Sequence, residues 1–411
     1  MRETRRNKMA QYAYEEIEVY RQLASQKGIC TASFDWKKEW EKLPLLSKNQ
    51  IVKRMADLAA PQYLFWENTP RMQSVFTSGT TGVCTEISWL VEDVKLSLMP
   101  LWMRRLKRYG ISPKDPLCTF YSLTQYSEET DWFHTTDHEL SFAKENLNEE
   151  RLSMIYNKLK TYQVKWMILQ PCILQLLYQF MKKNNLPVWD NLAYIELTGE
   201  FVSERFYQRM RKWFGVSILN QYGAHEVNTI AYGEGTEYLD IIESNVYVEI
   251  VDDNGYPLPD GKEGNVCVTC LTNRAMPFVR YLVGDIGKIR ECHTEFGKKR
   301  QLCLTKARCM ELIHLADGSD INPYVLQKAV EVTNCYMEGA IQQFRFIQTE
   351  YDQIQIELVT VAEYSFDSIC RCLKEHIYQE ELKGIHFCFL KKEFLFNPAN
   401  KKKWGWFYSE L

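Results

Sequence analysis

The chain has 411 residues, enough for two or three domains that each bury a core. Apolar residues make up 45% of the composition and charged residues 25%, which is the profile of a globular protein. The 50 lysines and arginines nearly balance the 53 aspartates and glutamates, and the net charge of −3 produces no overall field that attracts nucleic acid or an anionic membrane. We therefore expect neither nucleic acid nor a membrane as a partner.

The cellular location is predicted from the N-terminus, the apolar stretches and the cysteines. A basic stretch at residues 1–6 is not followed by the apolar segment of a secretory signal. The most apolar stretch, residues 166–180, contains three glutamines and Pro171 and is too short to span a bilayer. The 13 cysteines are odd in number and without paired spacing, which favours reduced thiols. These features predict a cytoplasmic protein.

The first half of the chain shows helical and strand-like patterns in alternation. Residues 8–26 carry an apolar stripe that predicts one helix. Residues 164–169 predict a strand that leads into a helix near Pro171, and residues 192–197 predict a strand that leads through residues 198–200 into another helix. A third strand, residues 216–219, is predicted to end at residues 220–223. Repeated units of this kind predict a sheet covered by helices, with binding loops at the strand ends.

The second half of the chain has a different pattern of apolar and polar residues. Residues 245–251 alternate apolar and polar side chains, which predicts a half-buried strand. Turn sequences at 252–257 and 259–261 then predict a small antiparallel β unit over residues 245–289. Beyond about residue 308 the pattern predicts a separate α+β domain, with a helix at 323–332, a strand at 353–359 and a helix at 366–378.

The predicted fold class is therefore α/β. A large N-terminal domain over residues 1–306 contains helix-covered sheets and the small β unit, and a small α+β domain occupies residues 307–411.

The most specific local signal is a loop of hydroxyl and glycine residues: Thr77, Ser78, Gly79, Thr80, Thr81 and Gly82. The glycines let the backbone approach an anion, and the hydroxyls and N–H groups supply donors to phosphate oxygens. The Gly-Lys-Ser/Thr of the usual nucleotide P-loop is absent. An ordinary surface turn is the alternative interpretation.

This loop resembles the phosphate loop of the adenylate-forming superfamily, which includes acyl-CoA synthetases, luciferases and the adenylation domains of peptide synthetases. Further matches follow in the family's order at residues 197–200, 221–226, 280–285, 307–308 and 397–403. Within the superfamily the chain is most similar to the phenylacetate-CoA ligase branch with its coenzyme F390 synthetase-like members, on the segments 247–252, 258–264 and 271–277.

The resemblance implies an ATP site. The residues that it assigns to nucleotide binding are Ser78, Gly79, Thr80, Thr81, Gly82, Gly199, Glu200, Gln221, Tyr222, Gly223, Asp285 and Arg308. Tyr222 would stack on adenine, Asp285 would accept the ribose hydroxyls, and Arg308 would donate nearby. Glu226 would hold the Mg²⁺ that bridges the phosphates, because hard cations prefer oxygen ligands.

The resemblance also implies a catalytic group of Thr80, Glu226 and a lysine from the small domain. That lysine would neutralise charge at the α-phosphate. The run Lys401, Lys402 and Lys403 matches the segment; Lys402 is assigned if Lys401 takes the place of the family's glycine. A solvated basic run is the alternative.

The family's hinge makes its small domain mobile, and the acidic hinge residue is here Met310. A methionine does not forbid rotation. The change nevertheless bears more on thioester formation, the second half-reaction of the family, than on adenylation, the first.

The acid-binding pocket is poorly specified by the sequence. Trp132, Phe133 and His134 lie where the family places residues beside the substrate carboxylate, and Ala224 and His225 are expected to face the acyl group. A polar surface loop with aromatics beneath it is an equally weighted interpretation of residues 132–134. Some relatives carry a structural zinc in the β region, but Cys267 and Cys270 would point to opposite faces of a strand, which favours buried thiols.

The predicted function is ATP-dependent activation of a small carboxylic acid, aryl or arylacetic, to an acyl-adenylate with release of pyrophosphate. Transfer to a thiol follows, either coenzyme A or the phosphopantetheine of an acyl carrier protein. By analogy with standalone enzymes of this size, a biosynthetic role is expected. Two alternatives stay open. The adenylate passes to an amine or hydroxyl, or the protein binds nucleotide without turnover.

Overall fold

The computed structural model describes residues 2–47, 50, 55–67, 69–76, 86–121, 132–144, 147–200, 202, 204–235, 237–294, 297–306, 312–321, 323–337, 340–360, 364–377, 382–392 and 406–411. These residues belong to two compact units. The first draws on Met1–Gly79, Cys84–Gly110 and Leu219–Ala307, and the second on Ile111–Ile218 and Arg308–Leu411.

The α-helices with described bounds are α1 (Arg2–Glu16), α2 (Glu18–Gln26), α3 (Val91–Tyr109), α4 (Glu149–Tyr162), α5 (Pro171–Lys183), α6 (Glu204–Phe214), α7 (Tyr324–Tyr336) and α8 (Phe366–Ile377). The strands are β1 (Met72–Phe76), β2 (Glu86–Leu90), β3 (Leu117–Tyr121), β4 (Phe133–Thr135), β5 (Glu139–Ala143), β6 (Trp166–Leu169), β7 (Tyr194–Thr198), β8 (Ser217–Ala224), β9 (Asn228–Glu234), β10 (Leu239–Ile241), β11 (Val246–Val251), β12 (Gly264–Cys270), β13 (Tyr281–Thr294), β14 (Gly297–Lys306), β15 (Ile313–His314), β16 (Asp320–Ile321), β17 (Ile341–Glu350), β18 (Gln353–Thr360), β19 (His386–Lys391) and β20 (Phe407–Ser409).

The first unit contains an antiparallel sheet in the order β11-β12-β13-β14-β10-β9-β8. It confirms the predicted antiparallel β unit and extends it well beyond residues 245–289. The prediction of a half-buried β11 is wrong. Val248 and Glu249 point to opposite faces, yet they are only 0% and 5% exposed, because Val248 lies in the apolar core and Trp40 covers Glu249.

The single helix predicted at residues 8–26 is wrong, because the chain breaks at Ile17. Its backbone is extended, with φ −104° and ψ 127°, so α1 ends at Glu16 and α2 begins at Glu18. Both helices bury apolar residues, among them Ala13 in α1 and Tyr20 in α2, and the Ile17 side chain between them is fully buried. Helix propensity is a weak preference that tertiary packing overrides.

The second unit contains the parallel strands β7-β6-β3-β5, with β4 antiparallel at the edge. Strand β6 leads into α5 and β7 leads into α6, which confirms the predicted strand–helix units. The predicted end of the next strand at Leu219 is wrong, since β8 continues to Ala224. Pairing with β9 carries the strand through the polar residues 220–223.

The C-terminal part of the second unit has a four-stranded sheet in the order β19-β18-β17-β20, together with α7 and α8. The predicted α+β elements are confirmed here. Buried apolar residues of this part and of residues 118–218 form one cluster within the second unit. The domain boundary between residues 306 and 307 stays a prediction. In the described part of the chain, no helix has both the length and the apolar character to cross a membrane.

Candidate active site

The segment 221–226 lies in the hairpin of β8 and β9 in the first unit. The strand register shifts between Tyr222 and Gly223, which is a β-bulge. A Cβ at Gly223 would lie 2.6 Å from the carbonyl oxygen of Asn228, so glycine is required for this close approach. Asn228 itself has a left-handed φ of 57°. The two residues shape the turn that carries His225 and Glu226.

Glu226 is a buried carboxylate, 6% exposed. Its Oε1 accepts a hydrogen bond of 2.8 Å from the hydroxyl of Tyr281, the first residue of β13. Tyr281 is also buried. A hydrogen bond to a charged acceptor is among the stronger ones, so the hydroxyl holds the carboxylate in one orientation.

Asp285, also on β13, is joined to the hairpin by Tyr222. The Tyr222 hydroxyl donates to Asp285 Oδ2 at 2.7 Å. Asp285 is 7% exposed and follows Gly284, which has a left-handed φ of 89°. The arrangement places a half-buried aromatic ring beside a carboxylate, which suits a ligand with a flat base and a hydroxylated sugar.

The hairpin is held by side chains that the sequence analysis did not select. The buried Asn245 donates from Nδ2 to the carbonyl oxygens of Val227 and Thr229, both at 2.8 Å. Trp89 Nε1 donates to the carbonyl oxygen of His225 at 3.0 Å. An asparagine beside a strand has the sequence signature of a turn, so no local signal distinguishes Asn245.

The remaining predicted residues of this segment are placed as follows. Gln221 Nε2 donates to Thr229 Oγ1 at 2.8 Å. Ala224 is half-buried, and His225 is exposed. The hydrogen bonds of the hairpin therefore join Tyr222 to Asp285 and Glu226 to Tyr281 within the first unit.

Gly199 and Glu200 lie in the second unit, after β7. Gly199 has a φ of 82°, which favours glycine. Glu200 caps the start of α5: its Oε2 accepts from the backbone N of Cys172 at 3.0 Å, and its Oε1 lies 3.0 Å from Cys172 Sγ. Because Pro171 occupies the first turn, Cys172 supplies the first N–H of the helix. Burial, and next the Glu200 carboxylate, raise the pKa of the Cys172 thiol well above its usual value.

The predicted substrate segment 132–134 is also in the second unit, at the edge strand β4. Trp132 is buried and stacks on Phe142, with ring centroids 5.9 Å apart. Lys158 Nζ lies 3.8 Å from the ring centroid of Phe133. His134 is exposed, with its ring 4.9 Å from that of Tyr121.

Several predicted residues lie outside the described residues: Ser78, Gly79, Thr80, Thr81, Gly82, Arg308, Met310, Lys401, Lys402 and Lys403. Their predicted roles in phosphate binding and catalysis stay predictions.

The candidate magnesium ligand is Glu226. Among the described residues, no group of three or more histidine, cysteine, aspartate or glutamate side chains could form a metal cage. A buried carboxylate oxygen nevertheless fits Mg²⁺ in a nucleotide complex, because that ion takes one or two carboxylates and completes its shell with phosphates and water. Cys267 and Cys270, the pair considered for zinc, are buried free thiols whose pKa values are raised by burial.

Comparisons with known proteins relate the chain to coenzyme A ligases. No protein-family model matches it. It is 26% identical over 300 residues to a phenylacetate-coenzyme A ligase of Thermus thermophilus, a match that covers 70% of this chain and 64% of the relative. It is 24% identical over 292 residues to the phenylacetate-coenzyme A ligase of Escherichia coli, with 68% and 64% covered. The chain therefore spans just under two thirds of the length of these relatives.

Solved structures share the fold. A 2-hydroxyisobutyryl-CoA ligase in its postadenylation state superposes with a TM-score of 0.62 at 15% identity, over 100% of this chain and 89% of that chain. The same ligase in its thioesterification state, with an acyl-AMP and CoA, gives a TM-score of 0.65 over 99% and 88%.

The fold is thus that of an acyl-adenylate-forming ligase, and the predicted α/β class is confirmed. The chain is thus similar in sequence to phenylacetate-CoA ligases and similar in fold to an acyl-CoA ligase, which agrees with the resemblance that the ordered matches predicted.

Proposed function

We propose that this protein is an AMP-forming acid–thiol ligase for an aryl or arylacetic acid. In the first step, a carboxylate oxygen of the acid attacks the α-phosphorus of ATP. The new bond gives an acyl-adenylate, and the bond to the leaving pyrophosphate breaks. In the second step, a thiol sulfur attacks the acyl carbon, a thioester forms, and AMP leaves. The thiol belongs to coenzyme A or to the phosphopantetheine of an acyl carrier protein.

The observation that carries this proposal is the pair of tyrosine–carboxylate hydrogen bonds between the β8–β9 hairpin and β13. Tyr222 donates to Asp285, and Tyr281 donates to Glu226. All four residues lie in segments that match the family, and the resemblance assigns three of them, Tyr222, Asp285 and Glu226, to nucleotide or Mg²⁺. Related phenylacetate-CoA ligases support the acid class, and the neighbour solved with an acyl-AMP and CoA supports both steps.

Each described residue has a role that its position supports. The Asp285 carboxylate accepts the ribose hydroxyls, and the Tyr222 ring stacks on adenine, with its hydroxyl fixing the carboxylate. Glu226 holds Mg²⁺, which supplies positive charge to the phosphates. Gly199 and Glu200 stay assigned to nucleotide binding. The loop 77–82, Arg308 and Lys402 complete the proposed machinery from segments outside the described residues.

The test is pyrophosphate release from ATP and Mg²⁺ with a panel of aryl, arylacetic, fatty, amino and short hydroxy acids, with and without coenzyme A. Release with an aryl or arylacetic acid and stimulation by coenzyme A are expected. Release that coenzyme A does not change would move the acceptor to a carrier protein, an amine or a hydroxyl. Nucleotide binding without release for any acid would contradict the proposal and favour a non-catalytic binding protein.

The proposed catalytic lysine is tested by Lys402→Ala. Adenylation should be lost while calorimetric ATP binding is retained, because the lysine acts on the charge that develops at the α-phosphate. Retained adenylation would redirect the assignment to Lys401 or Lys403, whose alanine variants serve as matched controls.

A further inference from the structure

Arg280, the residue before Tyr281, combines a strained backbone with a fully buried side chain. Its φ of 48° lies in the left-handed region, which a residue other than glycine occupies only where its surroundings hold it there. Its exposure is 0%, and an arginine is almost never buried so completely unless its charge is paired. Residues held in such conformations cluster at functional sites, and Arg280 directly precedes the tyrosine that contacts Glu226.

The guanidinium of Arg280 ties three separate parts of the first unit to this position. Its Nη1 donates to the carbonyl oxygens of Glu41 and Leu43, and its Nη2 donates to the carbonyl oxygen of Gly255. Its Nε lies 3.6 Å from Oε2 of the buried Glu249. The buried charge therefore has a counter-charge, and the planar set of donors fixes the direction of the side chain.

The backbone of Arg280 is bound on both sides. Its N donates to Thr269 Oγ1 at 3.0 Å, and its carbonyl oxygen accepts from Leu46 N at 3.0 Å. The Leu46 carbonyl oxygen in turn accepts from Leu282 N at 2.9 Å. These bonds place Leu46 beside Tyr281 as a short parallel bridge. The N-terminal segment thus pairs with the residues on either side of Tyr281.

A tyrosine of α2 holds the residues that lead into β13. The hydroxyl of Tyr20, a fully buried side chain, donates to the carbonyl oxygen of Pro277 at 3.0 Å. The same hydroxyl accepts from the backbone N of Val279 at 2.8 Å. Because β13 begins at Tyr281, residues of the N-terminal segment fix the chain both before this tyrosine and beside it.

We propose that Arg280, supported by Glu249 and by the N-terminal segment of residues 20–46, is a positioning residue for Mg²⁺. Arg280 fixes the start of β13, and the hydroxyl of Tyr281 then orients the Glu226 carboxylate. Mg²⁺ demands near-ideal octahedral geometry, so a carboxylate held in one orientation binds it more tightly than one that rotates. The proposal rests on the proposed function, because Glu226 is assigned to Mg²⁺ only there.

The test is a double-mutant cycle of Arg280→Lys and Tyr281→Phe, read by calorimetric ATP binding at a series of free Mg²⁺ concentrations. Lysine keeps a charge beside Glu249, but its single nitrogen cannot replace both Nη atoms of arginine. Each substitution should raise the Mg²⁺ concentration that gives half of the gain in ATP affinity about three- to tenfold. The double variant should be no worse than Tyr281→Phe, because Arg280 acts through that hydroxyl.

Arg345→Lys is the matched control, since Arg345 also pairs with a buried glutamate, Glu357, but lies on β17 in the second unit. It should leave the Mg²⁺ dependence unchanged. Losses that multiply in the double variant, or no loss in Arg280→Lys, would overturn the positioning role and leave Glu226 as the ligand. A wild-type ATP affinity that is independent of Mg²⁺ would overturn the assignment of Glu226, and the positioning role with it.

A second variant keeps the test independent of folding. Glu249→Gln removes the counter-charge of Arg280 but keeps an oxygen that accepts from Trp40 Nε1, and it takes the place of Arg280→Lys in the cycle if the lysine variant does not fold. It should raise the same Mg²⁺ concentration about two- to fivefold. Hydrogen exchange of the protein without ATP or Mg²⁺ should be faster at the Leu282 amide in both variants. Unchanged exchange in both would overturn the proposal.

Discussion

The hairpin of β8 and β9 and the segment after β7 each present a carboxylate that the sequence assigned to ATP, but the two are held differently. Glu226 in the turn of the hairpin and Asp285 on the neighbouring part of β13 each accept a hydrogen bond from a tyrosine hydroxyl. After β7, both oxygens of Glu200 accept from Cys172, one from its backbone N and one from its thiol. In the proposed function Glu226 and Asp285 bind the Mg²⁺ and the nucleotide, whereas Glu200 also fastens its loop to the start of α5.

The largest expected difference is between Glu226→Gln and Glu200→Gln. The first should lower adenylation at least about a hundredfold, because an amide oxygen replaces the anionic ligand proposed for Mg²⁺. The second should lower it less than about tenfold, because the amide oxygen still accepts from the Cys172 N–H. Initial rates of pyrophosphate release measure both. Equal losses would remove the distinction between the two carboxylates.

Gly223→Ala tests whether the bulge shapes the hairpin. The added Cβ would lie 2.6 Å from the Asn228 carbonyl oxygen, and relief of that clash should cost about 1–3 kcal/mol of unfolding free energy. Gly233→Ala on β9 is the matched control, since its nearest contact is an ordinary 3.6 Å to Leu239. Urea unfolding of the two variants measures the difference. Similar unfolding midpoints would show that the hairpin accommodates the added Cβ without loss of stability.

Tyr222→Phe isolates the hydroxyl that holds Asp285. The ring remains to stack on adenine, while the 2.7 Å hydrogen bond is lost. We expect kcat/KM for ATP to fall about three- to tenfold, because KM for ATP rises while kcat is unchanged. Tyr256→Phe, at an exposed tyrosine in the turn after β11, should change nothing. An unchanged KM in Tyr222→Phe would mean that Asp285 needs no support.

The smallest effect is expected at Cys172. Cys172→Ala removes the thiol donor but leaves the backbone N–H on Glu200, so KM for ATP should rise about two- to threefold with kcat unchanged. Cys172→Ser keeps a donor and should restore KM. Because the pKa of the thiol is raised, the proton stays in place past the usual value of about 8.5, and the alanine effect should be flat from about pH 6 to pH 8.5. An effect that disappears as the pH rises would place the proton elsewhere.

The local sequence pattern was enough to predict much of the fold. The strand–helix units at β6–α5 and β7–α6, the antiparallel β unit and the C-terminal elements all follow from periodicity and turn residues, which are properties of neighbouring positions. The order of short motifs was enough to predict the resemblance to the superfamily, because a ligand site constrains residue types where the chain passes the ligand.

Tertiary contact decided the rest. Nothing near Ile17 in sequence shows that packing extends it and splits the first helix. The polar residues 220–223 continue β8 only because β9 pairs with them. The partners of Glu226 and Glu200 are 55 and 28 residues away along the chain, beyond the reach of any local pattern.

Helix α3 shows both sides of this division. Its sequence by itself carries apolar side chains at helical spacing, which needs only the 3.6-residue period. Which face points inward was decided by Arg274 and Asn228, distant residues that bind Asp93 and Ser97. Buried polar groups must be paired, so contacts with distant residues help to set which side chains of α3 face inward, and the helical period alone does not.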